Sequence, residues 1–158
     1  MNGGDEIQLV TFRVADHEFA FNVFQVERIL RFEKPTPLPK SPDYLEGTVQ
    51  YGEEVVPVVD LRKRMEVAAP EGEETRIVIV SWEEGRIGLV VDAVLEVRKV
   101  AADEIRPPPS IVKGLAAKYI SGILPLGERT LVVLAVSKLL TSEERIALDA
   151  LTAEMAHE

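Results

Sequence analysis

The sequence contains no cysteine and only two histidines among its 158 residues. Without cysteine the chain can form neither a disulfide nor a thiolate zinc site, a composition typical of cytosolic proteins. His17 lies in a hairpin turn between charged neighbours, and His157 is next to the last residue. Neither has a serine placed to act as its nucleophile partner, so nucleophilic catalysis has no obvious residues to perform it.

Long apolar runs and an excess of basic residues are also missing. No apolar stretch reaches the roughly 18 residues needed to span a membrane, and the N-terminus lacks the features of a signal peptide. The 18 basic residues are outnumbered by 27 acidic ones, which gives a net charge of -9. Because nucleic acids and anionic membrane surfaces attract positive charge, we expect neither to be a partner.

Phosphate-binding loops and metal-ligand spacings are absent as well. The glycines are isolated, and none opens a helix in a phosphate-binding pattern. Asp60 and Asp92 each follow an apolar strand, where catalytic acids can occur. Neither has a second carboxylate nearby in the sequence, so a helix cap or a turn is the favoured interpretation. We therefore expect no catalytic residue, no metal and no cofactor.

Short strands and turns make up most of the chain. Alternating or apolar segments at 7–14, 19–23, 49–61, 76–82 and 86–92 predict hairpins. The segment from Val26 to Leu30 fits either a helix or a strand. Prolines from Pro35 to Pro42 predict an extended connector. Asp60 is placed to cap a short helix that follows it, and residues 68–74 have the composition of a linker.

The two halves of the chain repeat the same order of signals. A shift of 75 positions places 49–61 on 124–136, and a shift of 68 places 19–23 on 87–91 and Val26 on Val94. This pattern predicts an old duplication. Each half has too few strands to bury both faces of a flat sheet, so we expect two small barrels that share a seam. Residues 142–156 have the pattern of an amphipathic helix packed on this body.

Four valines come from equivalent elements of the two halves: Val10, Val23, Val26 and Val94. A core position is the default expectation for any single valine. The alternative is that they line a groove at the seam, where ligands and helical peptides tend to dock. One function class compatible with barrels is a small-ligand or oligosaccharide-binding module, although no cluster of aromatic and polar residues marks such a site.

A set of ordered motifs resembles a known family. The segments V-F-Q-V-E-R-I-L, T-P-L-P, V-V-P-V-V-D-L-R, R-I-G-L-V-V-D-A-V and L-V-V-L-A-V-S-K-L-L occur in the order found in the CheW-like adaptors of bacterial chemosensory systems. The resemblance covers roughly residues 7–140. It implies a mainly β fold with two SH3-like five-stranded barrels, short helices and a C-terminal helix. We expect one domain over 1–158, with barrel subdomains at 15–85 and at 86–140 plus 7–14.

The resemblance also implies a function. Members of this family are non-enzymatic adaptors that link the histidine kinase CheA to the cytoplasmic tip of a methyl-accepting receptor. Such a protein is cytoplasmic and is recruited to receptor arrays at the inner membrane. The receptor-binding groove of the family falls on Val10, Val23, Val26 and Val94, and the kinase-binding surface falls on Thr36, Leu38, Tyr44, Tyr51 and Gly52.

The sequence departs from the family pattern at two positions. Members commonly read N-L-R-G at the turn, where this chain has Q-Y-G-E from Gln50 to Glu53, so that Gly52 occupies the arginine position. Arg28 occupies a position that is commonly glutamate. The arginine and the glutamate are thought to pair in typical members. Because both are replaced here, we expect a divergent coupler with its own kinase and receptor preferences.

Overall fold

The computed structural model describes residues 5–15, 17–39, 41–64, 72–82, 85–107 and 119–140, together with Glu144 and Ala150. Ten strands account for most of this part of the chain: β1 (Glu6–Val14), β2 (His17–Asn22), β3 (Val26–Arg31), β4 (Leu45–Tyr51), β5 (Glu54–Asp60), β6 (Arg76–Trp82), β7 (Gly85–Val91), β8 (Ala93–Ala101), β9 (Ile120–Leu126) and β10 (Arg129–Leu134). Helix α1 (Leu61–Arg64) follows β5, and short 3₁₀ turns cover Val23–Gln25, Ala102–Glu104 and Val136–Lys138. The mainly β prediction is confirmed.

The strands form two five-stranded sheets of identical topology. Sheet 1 has the order β8-β1-β2-β10-β9, and sheet 2 has the order β3-β6-β7-β5-β4. In each sheet a hairpin stands in the middle, and a parallel pair of strands joins that hairpin to a second hairpin. The third strand of each half crosses into the other sheet. Thus β3 leaves the β1–β2 hairpin for sheet 2, and β8 leaves the β6–β7 hairpin for sheet 1.

The hydrogen-bond register confirms the duplication. In the parallel pairs, Val133 lies opposite Ala20 in sheet 1 and Val58 lies opposite Gly88 in sheet 2. These pairs are related by the same shifts of 75 and 68 positions that align the two halves of the sequence. The turns agree as well, since each of the two equivalent glycines in the β4–β5 and β9–β10 turns has φ near +65°, namely 63° and 66°. Only glycine adopts this conformation without a steric cost.

Each sheet curls into a barrel, which is closed by the segment that follows the crossing strand: β3 in sheet 2 and β8 in sheet 1. Thr36 forms a bridge to Thr48 of β4, and Arg106 forms the equivalent bridge to Ile123 of β9. Gly47 permits the first closure, because a Cβ atom at this position would lie 2.1 Å from the carbonyl oxygen of Thr36. The predicted proline connector is therefore the segment that closes the barrel formed by sheet 2.

Among the described residues the core has three parts, because most central strands bury both faces. In β6, Ile77 and Ile79 face the interior of the sheet 2 barrel, whereas Val78 and Val80 face a larger core shared by the two sheets. This double burial explains the continuous apolar run in the sequence, since alternate residues of a strand point to opposite faces. The interior of the sheet 1 barrel is formed by Leu9, Ala20, Val100, Leu124, Leu131 and Val133.

The ambiguous segment at Val26 is a strand, because it pairs with β6. Two strands differ from the expected subdomains. Strand β2 falls within the expected 15–85 barrel but lies in sheet 1 beside its hairpin partner β1, and β7 falls almost entirely within the expected 86–140 barrel but lies in sheet 2 beside its hairpin partner β6. Most of the expected linker at 68–74 and of the expected C-terminal helix at 142–156 lies outside the described residues. Of the latter segment only Glu144 and Ala150 are described, and both have helical backbone.

Candidate functional site

The seam between the two sheets is formed where the crossing strands leave their hairpins. Val26 lies opposite Val80 in sheet 2, and Val94 lies opposite Phe12 in sheet 1. Both valines are partly buried and pack against the shared core. The structure therefore brings Val26 and Val94 to one core from opposite sheets, as the alignment of the two halves predicts.

The other two predicted groove residues differ in accessibility. Val10 is almost fully buried, and it lies between Phe21 and Val97 in adjacent strands. Val23 begins the 3₁₀ turn between β2 and β3 and is half-buried. Three of the four valines thus keep some exposed surface, whereas Val10 is buried below the surface.

Four large apolar side chains are exposed in the described residues, and the sequence did not single them out: Phe24 at 88%, Val97 at 55%, Leu95 at 45% and Ile29 at 41%. Ile29 lies opposite Val78 of the shared core, and Val97 lies opposite the buried Val10, so each adds exposed apolar surface on an edge strand of its sheet. They are also related by the shift of 68 positions, which was the signal that could have identified them.

The predicted kinase-facing residues are spread along the closed edge of the sheet 2 barrel. Thr36 is exposed, and its backbone N–H and carbonyl pair with Thr48 at 2.8 and 2.9 Å. Tyr44 is half-buried, and its carbonyl accepts a hydrogen bond from the backbone of Asp60 at 3.2 Å. Leu38 is buried and belongs to the shared core. It therefore supports this surface from inside and is not available for direct contact.

The β4–β5 turn carries the remaining two predicted residues. Tyr51 is half-buried against the interior of the sheet 2 barrel, and Gly52 is exposed at the tip with φ of 63°. Arg86 of β7 approaches this turn and lies with its guanidinium carbon 5.9 Å from the centre of the Tyr51 ring. Gly52 occupies the position of the family's arginine, but Arg86 from another strand brings a guanidinium group to the same turn.

Arg86 is also paired with two carboxylates. Its Nε donates a hydrogen bond to Glu27 of β3, and its Nη1 donates one to Glu54 at the start of β5. The hydrogen bond to Glu27 and the negative charge of Glu54 raise the pKa of Arg86. The neighbouring Arg28, which replaces the family's glutamate, is exposed. The ion pairs in this region thus involve Arg86, Glu27 and Glu54, and not the two positions at which the sequence departs from the family pattern.

Asp60 and Asp92 take part in a buried ion cluster. Asp60 accepts a hydrogen bond from the backbone N–H of Arg62 at 2.9 Å, which confirms its predicted role as the cap of α1. The Arg62 side chain is buried and pairs with Asp60 at 2.9 Å and with Asp92 at 3.3 Å. Asp92 also accepts a hydrogen bond at 2.5 Å from Ala15, whose positive φ of 55° is uncommon for a residue other than glycine. The cluster joins the ends of strands from both sheets.

A pocket of about 330 Å³ lies next to this cluster. This volume is at the lower end of the range for small-molecule sites. Two of its charged lining residues, Asp60 and Arg62, already pair with each other in the ion cluster, and a third, Glu46, pairs with Lys63 at 2.9 Å. The pocket is lined by Phe32, Lys34, Pro35, Pro37, Glu46, Asp60, Arg62 and Val90.

In the described part of the chain, no group of three or more histidine, cysteine, aspartate or glutamate side chains is arranged to hold a metal ion. No helix in that part has the length and apolar character needed to cross a membrane.

Comparisons with known proteins agree in one family. A family model described as "CheW-like domain" matches residues 8–144. The chain is 30% identical over 145 residues to "Chemotaxis protein CheW" of Treponema pallidum, with 89% of this chain and 85% of the relative covered. It is 33% identical over 147 residues to the protein of the same name from Rhizobium meliloti, with coverages of 92% and 94%. The crystal structure of scaffolding protein TtCheW from Thermoanaerobacter tengcongensis superimposes with a TM-score of 0.80 at 25% identity, covering 89% of this chain and 91% of that one.

Proposed function

The chain belongs to the CheW-like domain family, and from this premise we propose that it is a non-enzymatic adaptor that couples a CheA-type histidine kinase to the cytoplasmic tips of methyl-accepting chemoreceptors. The observation that carries this proposal is the match over 8–144, since it includes both barrels and the seam between them. The chemotaxis and scaffolding relatives give no support to the alternative of a small-ligand or oligosaccharide-binding module.

The receptor tip, a helical hairpin, is proposed to dock at the seam. The half-buried Val26 and Val94 pack against the shared core, and the half-buried Val23 lies in the 3₁₀ turn that leads into β3. Ile29 and Val97 extend the same apolar faces to the sheet edges. A helix with apolar residues along one stripe can bury such a surface, because helix-in-groove recognition relies on anchors at helical spacing.

The kinase regulatory domain is proposed to bind the closed edge of the sheet 2 barrel. Thr36 and Gly52 are exposed there, and Tyr51 adds a partly exposed aromatic ring. Aromatic residues are common anchors in protein interfaces. The two surfaces involve different strands, so one adaptor can hold both partners at the same time. The protein would act in the cytoplasm, at receptor arrays on the inner membrane.

Signalling through such an adaptor is positional. Each partner changes the activity of the other only to the extent that its affinity differs between the active and inactive arrangements of the assembly. No bond is made or broken by the adaptor itself.

The test measures binding of the purified chain to a kinase regulatory domain and to a receptor cytoplasmic fragment from the same genome. A Val23→Glu, Val94→Glu variant should lose receptor binding and keep kinase binding, because buried charges at the seam oppose an apolar contact. A Thr36→Lys variant should weaken kinase binding and leave receptor binding unchanged. Each variant is thus the control for the other.

Because Val94 packs on the core, folding of the charged variant must be checked by circular dichroism. A milder Val23→Thr, Val94→Thr variant keeps the shape of both side chains and should weaken receptor binding in the same direction. If the wild-type chain binds neither partner, the adaptor role is wrong. If the folded seam variants lose both partners equally, the assignment of separate surfaces is wrong.

A further inference from the structure

A charged cluster joins three strands at one end, the mouth, of the sheet 2 barrel. Arg86 lies on the same face of β7 as Val90, which belongs to the barrel interior. Its guanidinium reaches Glu27 on β3 in one direction and Glu54 on β5 in the other. Strands β3 and β5 are not neighbours, because β6 and β7 stand between them. One side chain therefore links two strands that share no backbone hydrogen bonds.

The sheet 1 barrel has a related pair at the equivalent place, with the charges reversed. The shifts of 68 and 75 positions relate Arg86 to Glu18 and Glu54 to Arg129. Arg129 pairs with Glu18 at 2.5 Å. The position equivalent to Glu27 is Leu95, which cannot form an ion pair. Each barrel thus has an ion pair at its mouth, and in the sheet 2 barrel this pair is extended to the crossing strand β3.

The third partner of this cluster lies at a distinctive point of the backbone. The register of β3 against β6 shifts between Val26 and Arg28, so Glu27 is the residue of a β-bulge. Bulges often redirect side chains beside functional sites. Val26, the preceding residue, belongs to the proposed receptor surface. Glu54 pairs in register with Tyr51, which belongs to the proposed kinase surface.

We propose that Arg86 is a positioning residue that couples the two partner surfaces, because its ion pairs to Glu27 and Glu54 hold the β3 bulge and the β4–β5 turn at one spacing. This inference rests on the proposed function. If a partner moves the β4–β5 turn when it binds, the ion pair between Arg86 and Glu54 breaks or shifts. Arg86 then no longer restrains the β3 bulge beside Val26. The reverse holds for a partner at the seam, since coupling between two binding equilibria is reciprocal.

The matched control for Arg86 is Arg129. Both arginines are partly exposed and both pair with a glutamate at a barrel mouth, but the pair of Arg129 does not reach a crossing strand. Arg86→Met and Arg129→Met remove the charge while keeping most of the aliphatic stem. Glu27→Gln breaks the link on one side without changing Arg86 itself.

The experiment measures the affinity of the kinase regulatory domain with and without a saturating receptor fragment. The ratio of these affinities should differ from one in the wild type and move toward one in Arg86→Met and in Glu27→Gln, by roughly twofold or more. Arg129→Met should keep the wild-type ratio. A wild-type ratio of one, or an unchanged ratio in Arg86→Met, would overturn the coupling role.

A second readout uses the free protein and needs no partner. Amide hydrogen exchange should become faster in Arg86→Met both at the β3 bulge and at the β4–β5 turn, whereas Arg129→Met should leave these amides unchanged. If the wild type binds neither partner, the proposed function fails and exchange alone decides whether Arg86 restrains the two segments. If both partners bind but exchange in Arg86→Met matches the wild type, the positioning role of Arg86 fails by itself.

Discussion

Replacing Arg62 with methionine should be among the most destabilising single changes in the described part of the chain. The side chain is only 4% exposed, and it pairs with Asp60 and Asp92, which are buried as well. Methionine has a similar length and removes the charge. The change therefore leaves two carboxylates in a low-dielectric environment without their cation.

The size of the effect follows from this burial. Removing one partner of a buried ion pair typically costs about 3 to 5 kcal/mol, because the remaining charge is left uncompensated. Each aspartate keeps a backbone hydrogen bond, to Arg62 and Ala15 respectively, which should hold the cost within that range. Such a loss is large against the roughly 5 to 15 kcal/mol that stabilises a typical domain.

Urea denaturation followed by circular dichroism measures this difference, with Lys63→Met as the matched control. Lys63 is the next residue and pairs with Glu46, but its side chain is 53% exposed, so its removal should cost less than about 1 kcal/mol. The triple variant Asp60→Asn, Arg62→Met, Asp92→Asn should be more stable than Arg62→Met alone, because no buried charge is then unpaired. A loss in Arg62→Met no larger than that in Lys63→Met would refute the reasoning.

Three further predictions concern local geometry and pH. Gly47→Ala should destabilise the fold by more than about 2 kcal/mol in chemical denaturation, because the residue has a φ of 141° and the new Cβ would collide with the backbone of Thr36. Gly52→Ala should cost only about 1 kcal/mol, because the space around Gly52 is open. Thr11→Val should cost about 1 to 3 kcal/mol in the same assay, and Thr11→Ser much less, because the buried hydroxyl bonds both backbone groups of Glu96 in β8. The pKa of Lys63 is raised, chiefly by its hydrogen bond to a glutamate, so the small stabilisation from this pair should be complete below about pH 10 and lost as the pH rises through the raised pKa. Lys63→Met should therefore differ from the wild type less at pH 11 than at pH 8, and an equal difference at both values would contradict the role of the charge.

The candidate surfaces were only partly predictable from the sequence. The shift of 68 positions related Val26 to Val94, and the structure places both against the shared core. The same shift relates Ile29 to Val97, yet their exposure depends on where each sheet ends. Leu38 was expected on a partner surface and is buried in the shared core, two residues after the bridge from Thr36 to β4.

The sequence by itself determined the local structure of this protein and its internal repeat. Hairpins, the turn at Gly52 and the cap at Asp60 depend on residues close together in the chain, and the two halves repeat these signals at constant shifts. Only the tertiary structure decided which sheet receives each third strand and which charges meet. Arg62 and Asp92 are 30 residues apart, and Arg86 and Glu27 are 59 apart. No local pattern specifies such pairs, because they form only after the crossing strands exchange between sheets and bring distant segments within hydrogen-bond distance.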